Sequence, residues 1–251
     1  MRVRVLFFGP LRDITGTPEE EVCLEGEEAQ GASLGRLFDR YAGRHPRLAA
    51  MRDAIVLARN QEFGGYSTPL ADGDEVAFLP PVSGGTGPSV GTDASAGTGA
   101  LVDPSSDHFE IVRAPIDTRA LAARLLRGED GAVVTFEGVT RNHSGQRATR
   151  FLEYEAYEPM ALGQMRAIAR EVKERWPVDR VGIIHRLGRL EIGETSVAIV
   201  VTAAHRKPAF EACHFAIDRL KKTVPIWKKE HFADGTVWVE GQWDAALIGG
   251  R

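Results

Sequence analysis

Cysteine is almost missing from this chain: Cys23 and Cys213, 190 positions apart, are the only two in 251 residues. With no CxxC pair, neither a disulfide framework nor a Cys-based zinc site is expected, and a reducing cytoplasm fits. Long apolar runs are missing too. The longest, Val197 to Ala204, has eight residues and includes a Thr, against the ~20 that a membrane-crossing helix needs. Arg2 and Arg4 precede only four apolar residues before Gly9-Pro10, too few for a secretion signal, so that segment reads as a strand. Lysine is absent from residues 1–85, where nine arginines face 13 acidic residues for a net of −4. Residues 108–251 carry 22 basic against 19 acidic residues, a net of +3. Halves of opposite sign can attract each other, or the basic half can hold an anionic ligand.

What is present divides the chain in two. Residues 86–107, TGPSVGTDASAGTGALVDPSSD, contain no aromatic residue and only three larger aliphatic ones. Such a stretch buries too little apolar surface to offset the entropy of ordering it, so a flexible linker is expected. On either side lie about 85 and 144 residues, each enough for an independent core.

In the first part, Val3, Val5 and Phe7 alternate as a half-buried strand. A second strand is expected at Glu21–Leu24, and a helix at Leu34–Tyr41 capped by Ser33. Strands at Ile55–Arg59 and Glu75–Leu79 complete a small sheet on one helix. In the second part, a strand at Phe109–Val112 and a helix capped by Asp117 come first. Ala132–Val139 and Thr149–Ala156 then read as strands paired with each other around a polar loop. A helix follows from Pro159 to Arg175, then strands at Val181–Leu187 and Ser196–Thr202. A helix from Pro208 to Thr223 and a short strand at Val237–Glu240 close the unit. The class is α+β.

The exit from the first sheet is distinctive. Pro80-Pro81 keeps the chain extended, and Gly84-Gly85 makes a tip without side chains, narrow enough for a channel. A small sheet-and-helix module with such a tail resembles the ubiquitin-like sulfur carriers, and Leu-Pro-Pro-Val-Ser-Gly-Gly is most similar to the small subunit of molybdopterin synthase. Taken alone, the two glycines also suit the start of a Gly-rich linker.

Cations gather at three places in the second part. Arg141, with Asn142 and His143, follows a strand end. His205-Arg206 sits where a strand gives way to a helix. Lys221, Lys222, Lys228 and Lys229 flank Pro225-Ile226-Trp227, where Pro225 must end the helix, so a seven-residue spacing across the bend can aim Lys221 and Lys228 into one pocket. Taken singly, each has a plainer explanation: lysines in a last helical turn suit the helix dipole, and the others suit ordinary loop positions. Asn142-His143-Ser144 matches a glycosylation acceptor, to which no meaning is attached without a secretion signal. Few aromatic residues stand beside these cations, which argues against a nucleic-acid groove.

Together, Gly138-Val139-Thr140-Arg141-Asn142-His143, Ala204-His205-Arg206 and Lys221 through Glu230 resemble the large, catalytic subunit of molybdopterin synthase, so the chain resembles a fusion of both subunits. The resemblance implies a β-grasp, ubiquitin-like domain over 1–85, a linker over 86–107 and an α/β-hammerhead domain over 108–251 that dimerises. It implies transfer of sulfur from a thiocarboxylate on Gly85 to cyclic pyranopterin monophosphate, after loading by an ATP-dependent E1-like activating enzyme and a sulfur donor. Lys221 and Lys228 would be catalytic, and Thr140, Arg141, His143, His205, Arg206, Lys229 and Glu230 would bind substrate. No step calls for a metal or other cofactor. Because Thr86 follows Gly85 in an amide bond, a processing protease would have to cut there. A non-catalytic ubiquitin-like module, a carrier for another sulfur pathway, or an anion-binding domain without chemistry remain alternatives at this point.

Overall fold

The computed structural model describes residues 1–82, 107–239, 241–244 and 247; Gly84, Gly85 and the expected linker up to Ser106 lie outside them. The first unit runs β1 (Arg2–Phe7), α1 (Pro10–Thr15), β2 (Glu19–Cys23), α2 (Leu34–Arg44), α3 (Pro46–Ala50), β3 (Val56–Arg59), β4 (Glu62–Gly64) and β5 (Glu75–Leu79). Its sheet has the order β2-β1-β5-β3-β4, with β1 and β5 parallel at the centre. Ser33 accepts a hydrogen bond from the Arg36 amide at 3.3 Å and so caps α2. From α2, Leu34, Leu37, Phe38 and Tyr41 pack on Val3, Val5, Phe7, Val76 and Phe78. Burial of this kind contributes about 1.5–3 kcal/mol per large apolar side chain.

β5 is apolar after Glu75 because both its faces are covered. Val76 and Phe78 face α2, whereas Ala77 and Leu79, with Leu6, Val56 and Ala58, face the second unit. There they meet Tyr157, Met160, Trp227 and Trp243. The two units are therefore docked through the face of the first sheet that α2 leaves open.

The second unit runs β6 (His108–Val112), α4 (Thr118–Leu125), β7 (Ala132–Val139), β8 (His143–Ser144), β9 (Arg147–Ala156), α5 (Glu158–Arg175), β10 (Arg180–Arg186), β11 (Gly188–Glu191), β12 (Thr195–Ala203), α6 (Arg206–Thr223), β13 (Ile226–Phe232) and β14 (Gly235–Val239). One sheet has the order β6-β10-β12-β7; the other is β11-β9-β13-β14, with β8 beside β9. The long apolar run is β12, a central strand buried on both sides. Val197, Ile199 and Val201 pack under α5 and α6, while Ala198 and Val200 pack under α4. Gly182 lets α4 approach: a Cβ there would stand 2.6 Å from Leu125.

The expected pairing of β7 with β9 is not found. β7 pairs with β12, and β9 pairs with β11 and β13. The local hairpin is the two-residue β8 turning back on β9 through Gly145, whose φ is +58°. α6 also begins two residues before Pro208, which falls within the first turn, where a missing N–H leaves no helical bond unmade. No helix among the described residues is long and apolar enough to cross a membrane.

Candidate functional site

The site is assembled at one end of the second unit. β12 ends at Ala203 and α6 runs back over it, with the Cys213 thiol 4.0 Å from the Ile199 carbonyl where their midpoints cross. The last turn of α6 therefore comes to the Thr195 end of β12 and holds Lys221 exposed. Val224-Pro225 turns the chain into β13, and the Pro225 carbonyl accepts from the Tyr157 amide at 3.1 Å. Lys228 follows on β13, opposite Tyr154 of β9.

Lys228 is mostly covered, and its ammonium lies 2.9 Å from one carboxylate oxygen of Glu230, a residue 5% exposed. The other oxygen of Glu230 is buried without a hydrogen-bond partner among the described residues. So is the hydroxyl of Thr140, a residue 3% exposed at the end of β7. Each such group costs roughly 1–3 kcal/mol unless something bonds it. Tyr154 completes the cluster. Burial pushes its phenol above the ordinary range, and the Lys228 ammonium and a bond with Ser196 pull the other way. The Ser196 hydroxyl donates to the Gly138 carbonyl at 2.9 Å. His185 lies edge-on to the Tyr154 ring at 5.1 Å. Burial lowers its pKa to about 4, against the opposing effect of its 3.0 Å bond to the Arg186 carbonyl. It is neutral at pH 7, with Nδ1 as the donor.

The other expected site residues divide. Arg141, in the loop after β7, and His143, the first residue of β8, are exposed at the Lys228 end, with His143 Nδ1 2.7 Å from Asn142 Oδ1. His205 and Arg206 are exposed at the opposite end, where α6 starts. Arg206 and Lys221 stand fifteen positions apart on α6, or about 22 Å. The β7–β12 ladder, from Val139↔Thr195 to Ala132↔Ala203, sets Arg141 about 25 Å from His205. One chain thus does not bring the three cationic groups together. Lys229 points away from Lys228, as successive strand residues must, with its ammonium 5.1 Å from the centroid of the Trp238 ring.

The docked sheet edge is joined to this end of the domain. Phe8 stacks between Trp227, at 4.9 Å, and Tyr157, at 5.2 Å. Trp227 donates its indole N–H to the Pro80 carbonyl at 2.9 Å. Tyr157 donates to Glu75, and the Gly9 amide to Glu155. Arg12 pairs with Glu155 at 2.8 Å, and Trp238 donates to Asp13 at 2.9 Å. In this ion pair the base comes from the acidic first half and the acid from the basic second half. Sequence reasoning missed Tyr154, Ser196, His185 and the docking role of Trp227. Inward alternation along Leu152-Glu153-Tyr154 could have exposed the first.

Fold and site together define a β-grasp domain docked, within one chain, by its exit strand beside the lysine-bearing end of an α+β domain. Residues 5–85 match the ThiS family and residues 111–223 match the MoaE protein family. The molybdopterin synthase catalytic subunit of Bacillus subtilis is 44% identical over 136 residues, covering 54% of this chain and 87% of the relative. That of Staphylococcus carnosus is 46% identical over 135 residues, covering 54% and 90%. The crystal structure of molybdopterin synthase from Staphylococcus aureus superimposes with a TM-score of 0.52 at 43% identity, covering 53% of this chain and 97% of that one. The chain belongs to the molybdopterin synthase catalytic subunit family, with a ThiS-family, ubiquitin-like domain fused in front of the catalytic one.

Proposed function

We propose that this chain is a complete sulfurtransferase that builds the dithiolene of molybdopterin from cyclic pyranopterin monophosphate. The 1–85 domain carries the sulfur as a thiocarboxylate on Gly85, and the 108–251 domain performs the transfer. The observation that carries this reading is the grip of Trp227 on the Pro80 carbonyl, one residue along β13 from Lys228.

Lys221 and Lys228 offset the charge of the thiocarboxylate and of the intermediate it forms, the kind of fixed electrostatic stabilisation that dominates many such sites. Lys221, exposed at the helix end, is positioned for proton transfer or transient covalent chemistry. Lys228, held by Glu230, supplies binding and charge. Thr140 and Glu230 offer their unbonded oxygens to the pterin, and Arg141 and His143 offer donors to the anionic cyclic phosphate. Each transfer leaves Gly85 a carboxylate once water replaces the sulfur, so the E1-like enzyme, ATP and a sulfur donor must reload it. Gly85 can be loaded only after a protease frees it from Thr86. The intact mass of protein from its native host tests this: a first piece ending at Gly85 is expected, with sulfur in place of one oxygen.

His205 and Arg206 reach the site from a second copy of the chain. Val133 on β7 and Phe210 on α6, 38% and 62% exposed, offer apolar surface near these residues for such a contact. Lys221→Ala and Arg206→Ala chains are each expected to be inactive in this arrangement. Mixing them and letting subunits exchange is expected to restore about a quarter of wild-type turnover, because half of the dimers are mixed and one site in each is intact. No recovery on mixing would remove the second copy's Arg206 from the site.

A further inference from the structure

Pro80 and Pro81 carry no backbone N–H, so their backbone can accept hydrogen bonds but not donate them. The Pro80 carbonyl accepts two hydrogen bonds, from the indole of Trp227 at 2.9 Å and from that of Trp243 at 3.1 Å. Both indoles are buried, at 1% and 4% exposure, and an indole N–H can only donate. Trp227 belongs to the strand that carries Lys228. Trp243 comes from the segment after β14 and is bound at both ends. On the carrier side its ring meets Phe63 of β4 edge-on at 5.8 Å. On the catalytic side the next residue, Asp244, donates its amide to the Lys222 carbonyl at 3.0 Å, satisfying one of the open carbonyls that end α6. The Asp244 carboxylate also pairs with Arg219, one turn earlier on α6, and Arg219 reaches Glu171 of α5 at 3.0 Å.

We propose that Trp243, anchored by Asp244, is a positioning residue that sets the carrier's exit strand in register with the end of α6 that presents Lys221. The inference rests on the sulfur-transfer reading above. Trp227 alone would give the Pro80 carbonyl one donor from the catalytic domain; the second indole fills its other lone pair and adds a second fixed direction. Trp243, tied through Asp244 to the turn holding Lys221 and Lys222, links that turn directly to Pro80. Pro80 and the lysine-bearing turn thus keep a fixed offset, the pre-paid alignment that raises the rate of a transfer step without tightening substrate binding. A tryptophan isolated in the polar run Gly241-Gln242-Trp243-Asp244 is the sequence signal for this clasp.

Trp243→Phe tests it, because phenylalanine keeps a ring against Phe63 and removes only the N–H. In the whole protein, hydrogen–deuterium exchange of the peptide covering Glu75–Val82 is expected to quicken by roughly two- to tenfold, the range for one neutral hydrogen bond, while exchange in β12 stays unchanged. Turnover number is expected to fall by a similar factor, with the KM for cyclic pyranopterin monophosphate unchanged. Asp244→Asn, which weakens the tie to Arg219, is expected to shift both readouts the same way. Wild-type exchange at Glu75–Val82 in Trp243→Phe overturns the clasp. Faster exchange with an unchanged turnover number, or a change confined to KM, overturns the positioning role. If the wild-type protein transferred no sulfur at all, the functional reading would fail, while the exchange comparison would still decide whether the clasp exists.

Discussion

Lys221→Ala is expected to lower sulfur transfer by at least about 10²–10³-fold, the scale seen when one fixed group that stabilises transition-state charge is removed, and by more if the amine also bonds covalently. The fold is expected to survive. Lys221 is exposed on the last turn of α6 and forms no ion pair among the described residues, so truncation is expected to change stability by no more than about 0.5 kcal/mol. Lys228 behaves differently. Its ammonium is the ion-pair partner of a buried carboxylate, and removing one member of such a pair costs roughly 3–5 kcal/mol. Loss of activity in Lys228→Ala therefore mixes folding with chemistry, whereas Lys221→Ala isolates chemistry. Single-turnover assays with loaded carrier, alongside urea unfolding, separate the two. Near-normal turnover in Lys221→Ala would remove that residue from the mechanism.

The second large effect is expected from Trp227→Ala. This side chain is 1% exposed, stacks on Phe8 and bonds the Pro80 carbonyl. Truncating a buried tryptophan costs about 3–5 kcal/mol, here drawn from the contact between the two domains. The main core of the catalytic domain, built from β10, β12, α5 and α6, does not include Trp227. The expected outcome is therefore two folded domains that no longer hold each other. Scattering of the uncut chain should show a larger radius of gyration, and after cleavage behind Gly85 sulfur transfer should become dependent on protein concentration. A Trp227→Ala protein as compact and as active as wild type would mean that docking does not rest on this contact.

Local signals in the sequence were strong where one residue decides the outcome. Ser33 caps α2, Asp117 caps α4 with a 2.9 Å bond to the Ala120 amide, and Pro159 lies in the first turn of α5. Strand partnership was not legible. β7 shows alternating exposure along its whole length, and that pattern says which face is buried but not which strand lies alongside. The turn at Gly145 was visible, yet it closes a two-residue hairpin and not the expected long one. The site was legible as a list of cations because charge and helix ends can be read locally. Their division was not, since it depends on α6 running antiparallel to β12, which carries Arg206 and Lys221 to opposite ends. Net charge was uninformative for a related reason: the two units meet through a buried apolar face, and the close ion pair there, Arg12 with Glu155, does not follow the sign of either half.

The central claim is that a freed, sulfur-bearing Gly85 is the reagent delivered to Lys221. Intact mass of the native protein, recorded before and after addition of cyclic pyranopterin monophosphate, tests it most directly. The account predicts a fragment ending at Gly85 that starts heavier than the plain acid by the difference between sulfur and oxygen, and that loses this excess as dithiolene forms. Dithiolene formed by a preparation holding only uncut chain, with no sulfur on any fragment, would contradict it.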